Sequence, residues 1–285
     1  LTAIQFADLN GNGTAEMIIT GEWLPVTVFA YRNGQYQDAT AAFGLDQTNG
    51  WWNSLLVKDM DNDGDLDLVA GNLGLNTRLQ ATAAEPLRLY VRDFDDNGSL
   101  DPILTHYENG KQYPWAQKDL LLKQLPGLKK TFIRYATYAT ATIEDLFPAA
   151  LLRQSKTYEA KTLRSTYFEN TGNGRFTAQP LPAEAQTAPV NCMVAGDFNA
   201  DGHQDLLFAG NDYGMEVETA RCDAFNGLLL TGDGKGHFTP QENRNTGFWA
   251  TREVRGLQLL KTASNEPLVV VANNNAPIQV FRKKD

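Results

Sequence analysis

The chain has little of what catalytic and redox sites are usually built from. Its 285 residues include two cysteines and three histidines, and the cysteines lack the Cys-x-x-Cys spacing of zinc or dithiol redox pairs. The sequence contains no Gly-x-Ser-x-Gly motif, no P-loop and no helix-opening Gly-x-Gly-x-x-Gly motif. We therefore do not expect an enzyme.

Long apolar runs and an excess of positive charge are also missing. A membrane-spanning helix needs about 18 or more apolar residues in succession, and no such run occurs, so we predict no membrane span. Lysine and arginine number 25 against 34 aspartate and glutamate residues, which gives a formal net charge of −9. A chain of this charge repels phosphate backbones, so we predict no nucleic-acid partner.

The two cysteines, Cys192 and Cys222, fall within one repeat of the pattern described below. An extracellular setting would allow them to pair. The apolar strand pattern around Cys192 instead favours a buried free thiol. The sequence leaves both alternatives open, because it does not give the distance between the two Cα atoms.

Residues 59–67 carry acidic side chains at alternate positions, with a glycine after the third. Carboxylates at loop positions 1, 3 and 5 converge when the backbone curls around an ion, and glycine at position 6 permits the sharp turn. Position 7 would add its backbone carbonyl and position 9 a further carboxylate, which completes the all-oxygen cage that calcium prefers. The predicted ligands are Asp59, Asp61, Asp63, Asp65 and Asp67.

This loop is not an EF-hand, because position 12 is Ala70 where that motif needs glutamate. Its flanks, 54–57 and 68–70, have the pattern of strands. A solvated acidic turn within a hairpin is the alternative interpretation of one such loop. Recurrence of the pattern along the chain favours calcium.

Three further loops repeat the spacing, which predicts up to four bound calcium ions. Their predicted ligands are Asp8, Asn10, Asn12, Thr14 and Glu16; Asp93, Asp95, Asn97, Ser99 and Asp101; and Asp197, Asn199, Asp201, His203 and Asp205. Affinity rises with ligand charge. The loop at 59–67 should therefore bind tightest and the loop at 8–16 weakest.

Each loop lies between two apolar stretches, and glycine-containing hairpin signatures occur at 29–36, 167–176 and 229–238. One repeat is then strand A, calcium loop, strand B, strand C, hairpin turn and strand D. A fifth copy, at 254–273, keeps its two strands, but the connecting residues 261–266 lack the carboxylate series. We expect this copy to hold no metal.

Four antiparallel strands per repeat predict an all-β fold, a β-propeller of about five blades. The repeats run from end to end, so we predict one domain over residues 1–285. The first strand begins near Leu1, and we expect the chain to be a segment of a larger protein. A larger propeller truncated there is the alternative to five blades.

The β pattern is interrupted at residues 115–164. Helical periodicity and strong helix formers occur at 118–125, 128–135 and 142–147, and Thr142 with an aspartate three residues later approximates a capping box. We predict an insertion of two to four short helices between strands B and C of the third repeat. It would serve as a partner-binding element or as a cap over the propeller.

The Asp-x-Asp/Asn-x-Asp/Asn-Gly-x-x-Asp loops, each followed by an apolar strand, resemble FG-GAP/VCBS-type repeats, the family of the integrin α-subunit propellers. The segments 71–76, 119–126, 168–174 and 272–275 are similar to the C-terminal part of bacterial surface proteins related to cartilage acidic protein. The resemblance implies a propeller fold and calcium binding. It does not specify an activity, because one fold hosts many functions.

These features favour a calcium-binding extracellular module that binds a protein or a glycan, in adhesion or a related role. Calcium sites of this kind commonly bind in the range of about 10⁻⁴–10⁻³ M and would be empty in the cytosol, so we predict secretion or display on a bacterial surface. The alternative is a polysaccharide-active enzyme or its accessory propeller. Carboxylates that do not bind calcium and that converge in a groove with an exposed tryptophan would favour the enzymatic alternative.

A second acidic cluster falls between strands of the fourth repeat. We interpret it as solvated ion pairs rather than as acid–base machinery, because most such clusters contribute little energy. Its members are Asp212, Glu216, Glu218, Arg221 and Asp223.

Overall fold

The computed structural model describes residues 1–216, 219–263 and 266–282. The described chain divides into two compact units. The larger contains Leu1–Arg78 together with the described residues from Leu163 onward, and the smaller contains Leu79–Thr162. Glu218 of the acidic cluster and part of the fifth connection, 264–265, lie outside the described residues.

The first part of the larger unit consists of short strands joined by turns. They are β1 (Ala3–Ala7), β2 (Glu16–Thr20), β3 (Glu22–Leu24), β4 (Thr27–Arg32), β5 (Gln35–Asp38), β6 (Gly50–Trp51), β7 (Ser54–Lys58) and β8 (Asp67–Gly71). Strands β1, β2, β4 and β5 form an antiparallel sheet in that order. Strands β3 and β6 form a separate pair, which the sequence pattern did not predict.

The smaller unit contains one sheet and most of the helical residues. Its elements are β9 (Leu87–Arg92), β10 (Asp101–Glu108), β11 (Lys111–Pro114), α1 (Lys118–Gln124), a 3-10 helix (Pro126–Lys130), α2 (Tyr135–Ala139), α3 (Ile143–Leu146), α4 (Ala149–Gln154) and β12 (Lys156–Ala160). The sheet order is β11-β10-β9-β12. Tyr90 and Ile103 of the sheet share a buried cluster with Leu121 of α1 and Ile143 of α3, so the helical segment packs on this unit's own sheet.

The chain then returns to the larger unit. Its remaining elements are β13 (Thr166–Asn170), β14 (Phe176–Pro180), a 3-10 helix (Ala183–Gln186), β15 (Val190–Gly196), β16 (Asp205–Gly210), β17 (Leu228–Gly232), β18 (Phe238–Gln241), α5 (Asn243–Thr246), β19 (Val254–Lys261), β20 (Pro267–Asn273) and β21 (Gln279–Arg282). Strands β15 to β18 form a sheet in chain order, and β19, β20 and β21 form a three-stranded sheet.

The predicted order of strands A, B, C and D is confirmed in the first and fourth repeats. The second repeat has the same order, β7-β8-β13-β14, but its halves are far apart in the sequence, since Ala70 pairs with Thr166. The smaller unit, which contains the third calcium loop, is inserted between those halves. This insertion explains why the second and third loops follow each other so closely.

Neighbouring sheets of the larger unit meet through their first strands. Strand β7 contacts both β1 and β15, and β15 contacts β19. Buried side chains of successive sheets pack together, as Ile18 of β2 does in one cluster with Leu68 of β8 and Phe168 of β13. The first strands of the first, second, fourth and fifth repeats therefore form a consecutive series.

The position predicted for the helical insertion was wrong. It follows the third strand of its repeat, because β10 and β11 are joined directly through Asn109 and Gly110. Both residues have positive φ, 52° and 75°, the conformation that a two-residue hairpin turn requires.

One predicted helix, 128–135, was also wrong. The chain forms a 3-10 helix up to Lys130 and resumes as α2 at Tyr135. Between them, Phe132 is buried and its neighbours are exposed. Thr131 and Ile133 are β-branched and lower the helix propensity of the stretch. The capping residues of α3 are confirmed, since the Thr142 N–H donates to the Asp145 carboxylate at 2.8 Å.

Both cysteines are free thiols in the structure. Burial raises the pKa of Cys192 to about 12. Of the two adjacent tryptophans, Trp52 is fully buried, while Trp51 packs against Trp23 in a tilted arrangement with ring centroids 5.2 Å apart.

Candidate metal centres in the strand-connecting loops

Each predicted calcium loop connects the first two strands of a repeat. In each, position 9 is the first residue of strand B and pairs with the last residue of strand A, as Asp67 pairs with Lys58. The same pairing joins Glu16 to Ala7, Asp101 to Arg92 and Asp205 to Gly196. The strand register therefore fixes the two ends of every loop.

All four loops share one backbone conformation. Positions 4 and 6 both have positive φ in every copy. They are Gly11, Asn62, Asp96 and Ala200 at position 4, and Gly13, Gly64, Gly98 and Gly202 at position 6. Glycine at position 6 was predicted, whereas the left-handed conformation at position 4 was not.

The position 1 carboxylate organises the turn. In the second loop, Asp59 Oδ1 accepts the Asn62 N–H at 2.8 Å and Asp59 Oδ2 accepts the Gly64 N–H at 3.2 Å. Asp8, Asp93 and Asp197 accept equivalent bonds from the backbone N–H groups at positions 4 to 6. These bonds orient the carboxylate towards the interior of the loop.

The position 9 carboxylates are buried and hydrogen-bonded. Each accepts the N–H of position 2 at 2.8 to 3.0 Å. The residues are Glu16, Asp67, Asp101 and Asp205, all less than 5% exposed. Burial raises the pKa of Asp67 to about 6 and also raises the pKa of Asp205.

Two loops bring three carboxylates together. Asp59, Asp61 and Asp67 place ligand oxygens within 4.8 Å of one another, and Asp93, Asp95 and Asp101 do the same. These are positions 1, 3 and 9 of each loop. Such oxygen-only donor sets fit a hard divalent cation like calcium.

The electrostatics of the Asp59–Asp61–Asp67 cluster fit the same conclusion. Burial raises the pKa of Asp61, and the negative charges of Asp63 and Asp59 raise it further. A bound cation would compensate this repulsion and favour the ionised carboxylates.

The position 5 side chains have a different partner. Asn12, Asp63, Asn97 and Asp201 each accept the position 7 N–H at 2.8 Å. Asp63 is outside its loop's group of three clustered carboxylates. Metal ligation by position 5, and by the carbonyls of Thr14, Asp65, Ser99 and His203 at position 7, stays a prediction.

Two loops have an amide at position 3. In the first, Asn10 Nδ2 donates to Glu16 Oε1 at 2.8 Å, so both carboxylate oxygens of Glu16 already have protein donors. In the fourth, Asn199 Nδ2 donates to Asp201 Oδ2 at 2.8 Å. Neither loop gathers three carboxylates in the part of the chain that the structure describes.

Sequence reasoning missed Asn170, a buried residue at the end of β13. Its N–H donates to Asp67 Oδ1 at 2.8 Å, and its Nδ2 donates to the Leu9 carbonyl at 2.9 Å and the Leu66 carbonyl at 3.2 Å. Asn170 therefore links the first loop to the second by hydrogen bonds. Its signal in the sequence is an asparagine placed just before a glycine-rich turn.

A second contact joins the second and fourth loops. The Asn62 side-chain nitrogen lies 3.1 Å from His203 Nδ1. The sequence predicts a role only for the backbone carbonyl of His203, whereas in the structure its side chain contacts Asn62 of the second loop.

The other acidic cluster forms ion pairs. Arg221 lies 3.2 Å from Asp223, with both side chains about half exposed, and Arg255 lies 3.7 Å from Asp212. These exposed pairs agree with the interpretation of a solvated cluster.

Comparison with protein-family models gives a match over the first part of the chain. A family model described as "FG-GAP-like repeat" matches residues 3–70, a range that contains the first two calcium loops. No curated protein matches the sequence, and the finer likeness to proteins related to cartilage acidic protein is not supported. Among the described residues, no helix is long and apolar enough to cross a membrane. The match at 3–70 supports the FG-GAP repeat family, whose repeats occur in extracellular adhesion and binding domains.

Proposed function

We propose that the protein is an extracellular calcium-binding module whose sheets are blades of a β-propeller and which binds a protein or glycan ligand. The observation that carries calcium binding is the Asp59–Asp61–Asp67 cluster. Three carboxylates this close repel one another, and a divalent cation removes that repulsion. The consecutive contacts of β1, β7, β15 and β19 support the propeller.

Calcium would have a structural role in this proposal. The loops lie between strands A and B, and a bound ion would hold the carboxylates of positions 1, 3 and 9 together. Sites that need calcium at extracellular concentrations agree with secretion or surface display.

Isothermal titration calorimetry with calcium tests the proposal. Binding should be strongest at the loop with four carboxylates, so Asp61→Ala should remove the tightest binding event. Asp46→Ala changes an exposed acid outside the loops and is the matched control. Absence of calcium binding by the wild-type protein at millimolar calcium would contradict the proposal.

Glycan binding is favoured by one further feature of the larger unit. A cleft of about 680 Å³ is lined by Glu184, Glu242, Arg244, Asn226 and Trp249, and Trp249 is 47% exposed. Open clefts with an aromatic side chain and a few polar groups suit small polar ligands. None of these residues belongs to a calcium loop.

Experiments on this cleft distinguish the binding function from the enzymatic alternative. The cleft has two features expected of the enzymatic alternative, namely carboxylates outside the calcium loops (Glu184 and Glu242) and an exposed tryptophan. We nevertheless propose binding without catalysis, because Glu242 is ion-paired with Arg244 and the sequence carries no catalytic motif. Incubation with neutral oligosaccharides, followed by product chromatography and tryptophan fluorescence, distinguishes the two. A fluorescence change that is abolished in Trp249→Ala, with no cleavage of the oligosaccharide, supports binding. Cleavage of the oligosaccharide that is lost in Glu184→Gln or Glu242→Gln would establish the enzyme.

A further inference from the structure

A basic segment stands out in an otherwise acidic protein. Residues 115–143 contain five cations and one acid, Asp119, while the whole chain carries a formal charge of −9. The cations are Lys118, Lys123, Lys129, Lys130 and Arg134. The segment belongs to the smaller unit and includes α1, the 3-10 helix at Pro126–Lys130 and α2.

Large apolar side chains are exposed among these cations. Ile133 is 77% exposed and Tyr135 is 63% exposed, and Leu120 is also exposed. Their neighbours Phe132 and Leu121 are buried in the core of the unit. The segment is therefore anchored by one set of apolar residues and presents a second set to solvent.

Side-chain contacts join the Tyr135 end of the segment to the start of α1. The Tyr135 hydroxyl donates to the Asp119 carboxylate, and Lys118 Nζ lies 4.3 Å from the centroid of the Tyr135 ring. These contacts hold residues 133–135 beside the start of α1. They also engage Asp119, the only acid of the segment.

We propose that this surface, the basic patch of Leu120, Lys129, Lys130, Ile133, Arg134 and Tyr135, docks on an anionic lipid bilayer. Cations attract anionic headgroups, while exposed aliphatic and aromatic side chains enter the headgroup–acyl boundary. A soluble polyanion would engage the cations alone and leave Ile133 without a role. The inference does not depend on calcium binding by the loops.

Co-sedimentation of the full chain with vesicles tests the proposal. Vesicles of phosphatidylcholine and phosphatidylglycerol in a ratio of about 7:3 should bind the protein, and pure phosphatidylcholine vesicles should not. Binding should weaken as sodium chloride is raised, because salt screens exposed charges. The assay is run both with calcium and with chelator, so that calcium bridging between protein and lipid is recognised.

Three exposed-site variants make the test specific. Lys129→Glu with Lys130→Glu should weaken binding by about tenfold or more. Ile133→Ser should weaken it by about threefold or more. Ile278→Ser, which removes an isoleucine 67% exposed in the larger unit, should bind like the wild type. Circular dichroism and thermal melts confirm that each variant is folded.

Other outcomes overturn the proposal. Failure of the wild type to bind phosphatidylglycerol vesicles contradicts it. Unchanged binding by Ile133→Ser, together with equal binding to dextran sulfate or to a short DNA duplex, would instead establish a general polyanion site.

Discussion

The side-chain amide of Asn10 donates a hydrogen bond to Glu16 Oε1 at 2.8 Å, joining positions 3 and 9 of the first loop directly. In the second loop the same positions are Asp61 and Asp67, two carboxylates that cannot bond each other when both are ionised. The first loop is thus closed by protein groups alone, whereas the clustered carboxylates of the second repel one another, a repulsion that a bound cation would remove. This difference gives the predicted ranking of sites a physical basis.

Removing the Asn10 amide should affect stability independently of calcium. We expect Asn10→Ala to lower the free energy of unfolding by about 1–3 kcal/mol, because it removes two hydrogen bonds of the amide and leaves Oε1 of the buried Glu16 without its donor. The loss should be equal in calcium and in chelator, as measured by urea denaturation. A loss found only in calcium would mean that the first loop also depends on the ion.

Substitution of Asn170 should destabilise the fold, although the residue lies outside the calcium loops. Asn170→Ala leaves the buried carbonyl of Leu9 and the carbonyl of Leu66 without their side-chain donor. Each buried polar group left unpaired costs about 1–3 kcal/mol, so a loss of at least 2 kcal/mol is expected from denaturation curves. Gln37→Ala, at an exposed position, should change stability little; a similar effect of the two substitutions would argue against the assigned role.

The left-handed residue at position 4 offers a stabilising substitution. Ala200 has a φ of 67°, which costs a residue with a Cβ about 1–2 kcal/mol, partly offset by the greater unfolded-state freedom of glycine. Ala200→Gly should therefore raise the free energy of unfolding by up to about 1 kcal/mol. Gly202→Ala at position 6 is the matched control and should lower it, and stabilisation by both would contradict the argument.

Calcium affinity of the second loop should fall in acid. Burial, and then the negative charge of Asp61, raises the pKa of Asp67 from its ordinary value near 3.8 to about 6. Without calcium, this group favours the folded state fully below its unfolded pKa, and that contribution is lost as pH rises through about 6. With calcium the proton competes with the ion, so affinity should drop by about tenfold between pH 7 and pH 5. Calcium titrations in buffers across this range check the expectation, and a constant affinity would contradict it.

The spacing of acidic, amide and glycine residues in the sequence was enough to predict the loops, their flanking strands and the hairpin turns. Asp59 to Asp67 and the three similar stretches each form the expected connection between two paired strands. Glycine at position 6 was predictable because only glycine adopts that conformation readily. Ala200 at position 4 has no such preference, so its conformation is imposed by the hydrogen bonds that its loop makes to Asp197.

The pairing of strands far apart in the sequence could not be predicted from local sequence patterns. Strand β8 pairs with β13, as Ala70 does with Thr166, although the whole sequence of the smaller unit lies between them. The entropic cost of closing a loop rises only slowly with loop length, so this long connection is tolerated. No residue near β8 in the sequence indicates that its partner is β13. The bonds of Asn170 to Leu9 and Leu66 depend on the same pairing and were equally hidden.

Thermal unfolding with calcium and with chelator tests the central claim most directly. A ligand that binds only the folded state stabilises it by about 2.7 kcal/mol per site at a hundredfold excess over its dissociation constant. We predict that chelation lowers the melting temperature of the wild type, and that in calcium Asp61→Ala is more destabilising than Asn10→Ala. A wild-type melting temperature that is the same in calcium and in chelator would contradict the account.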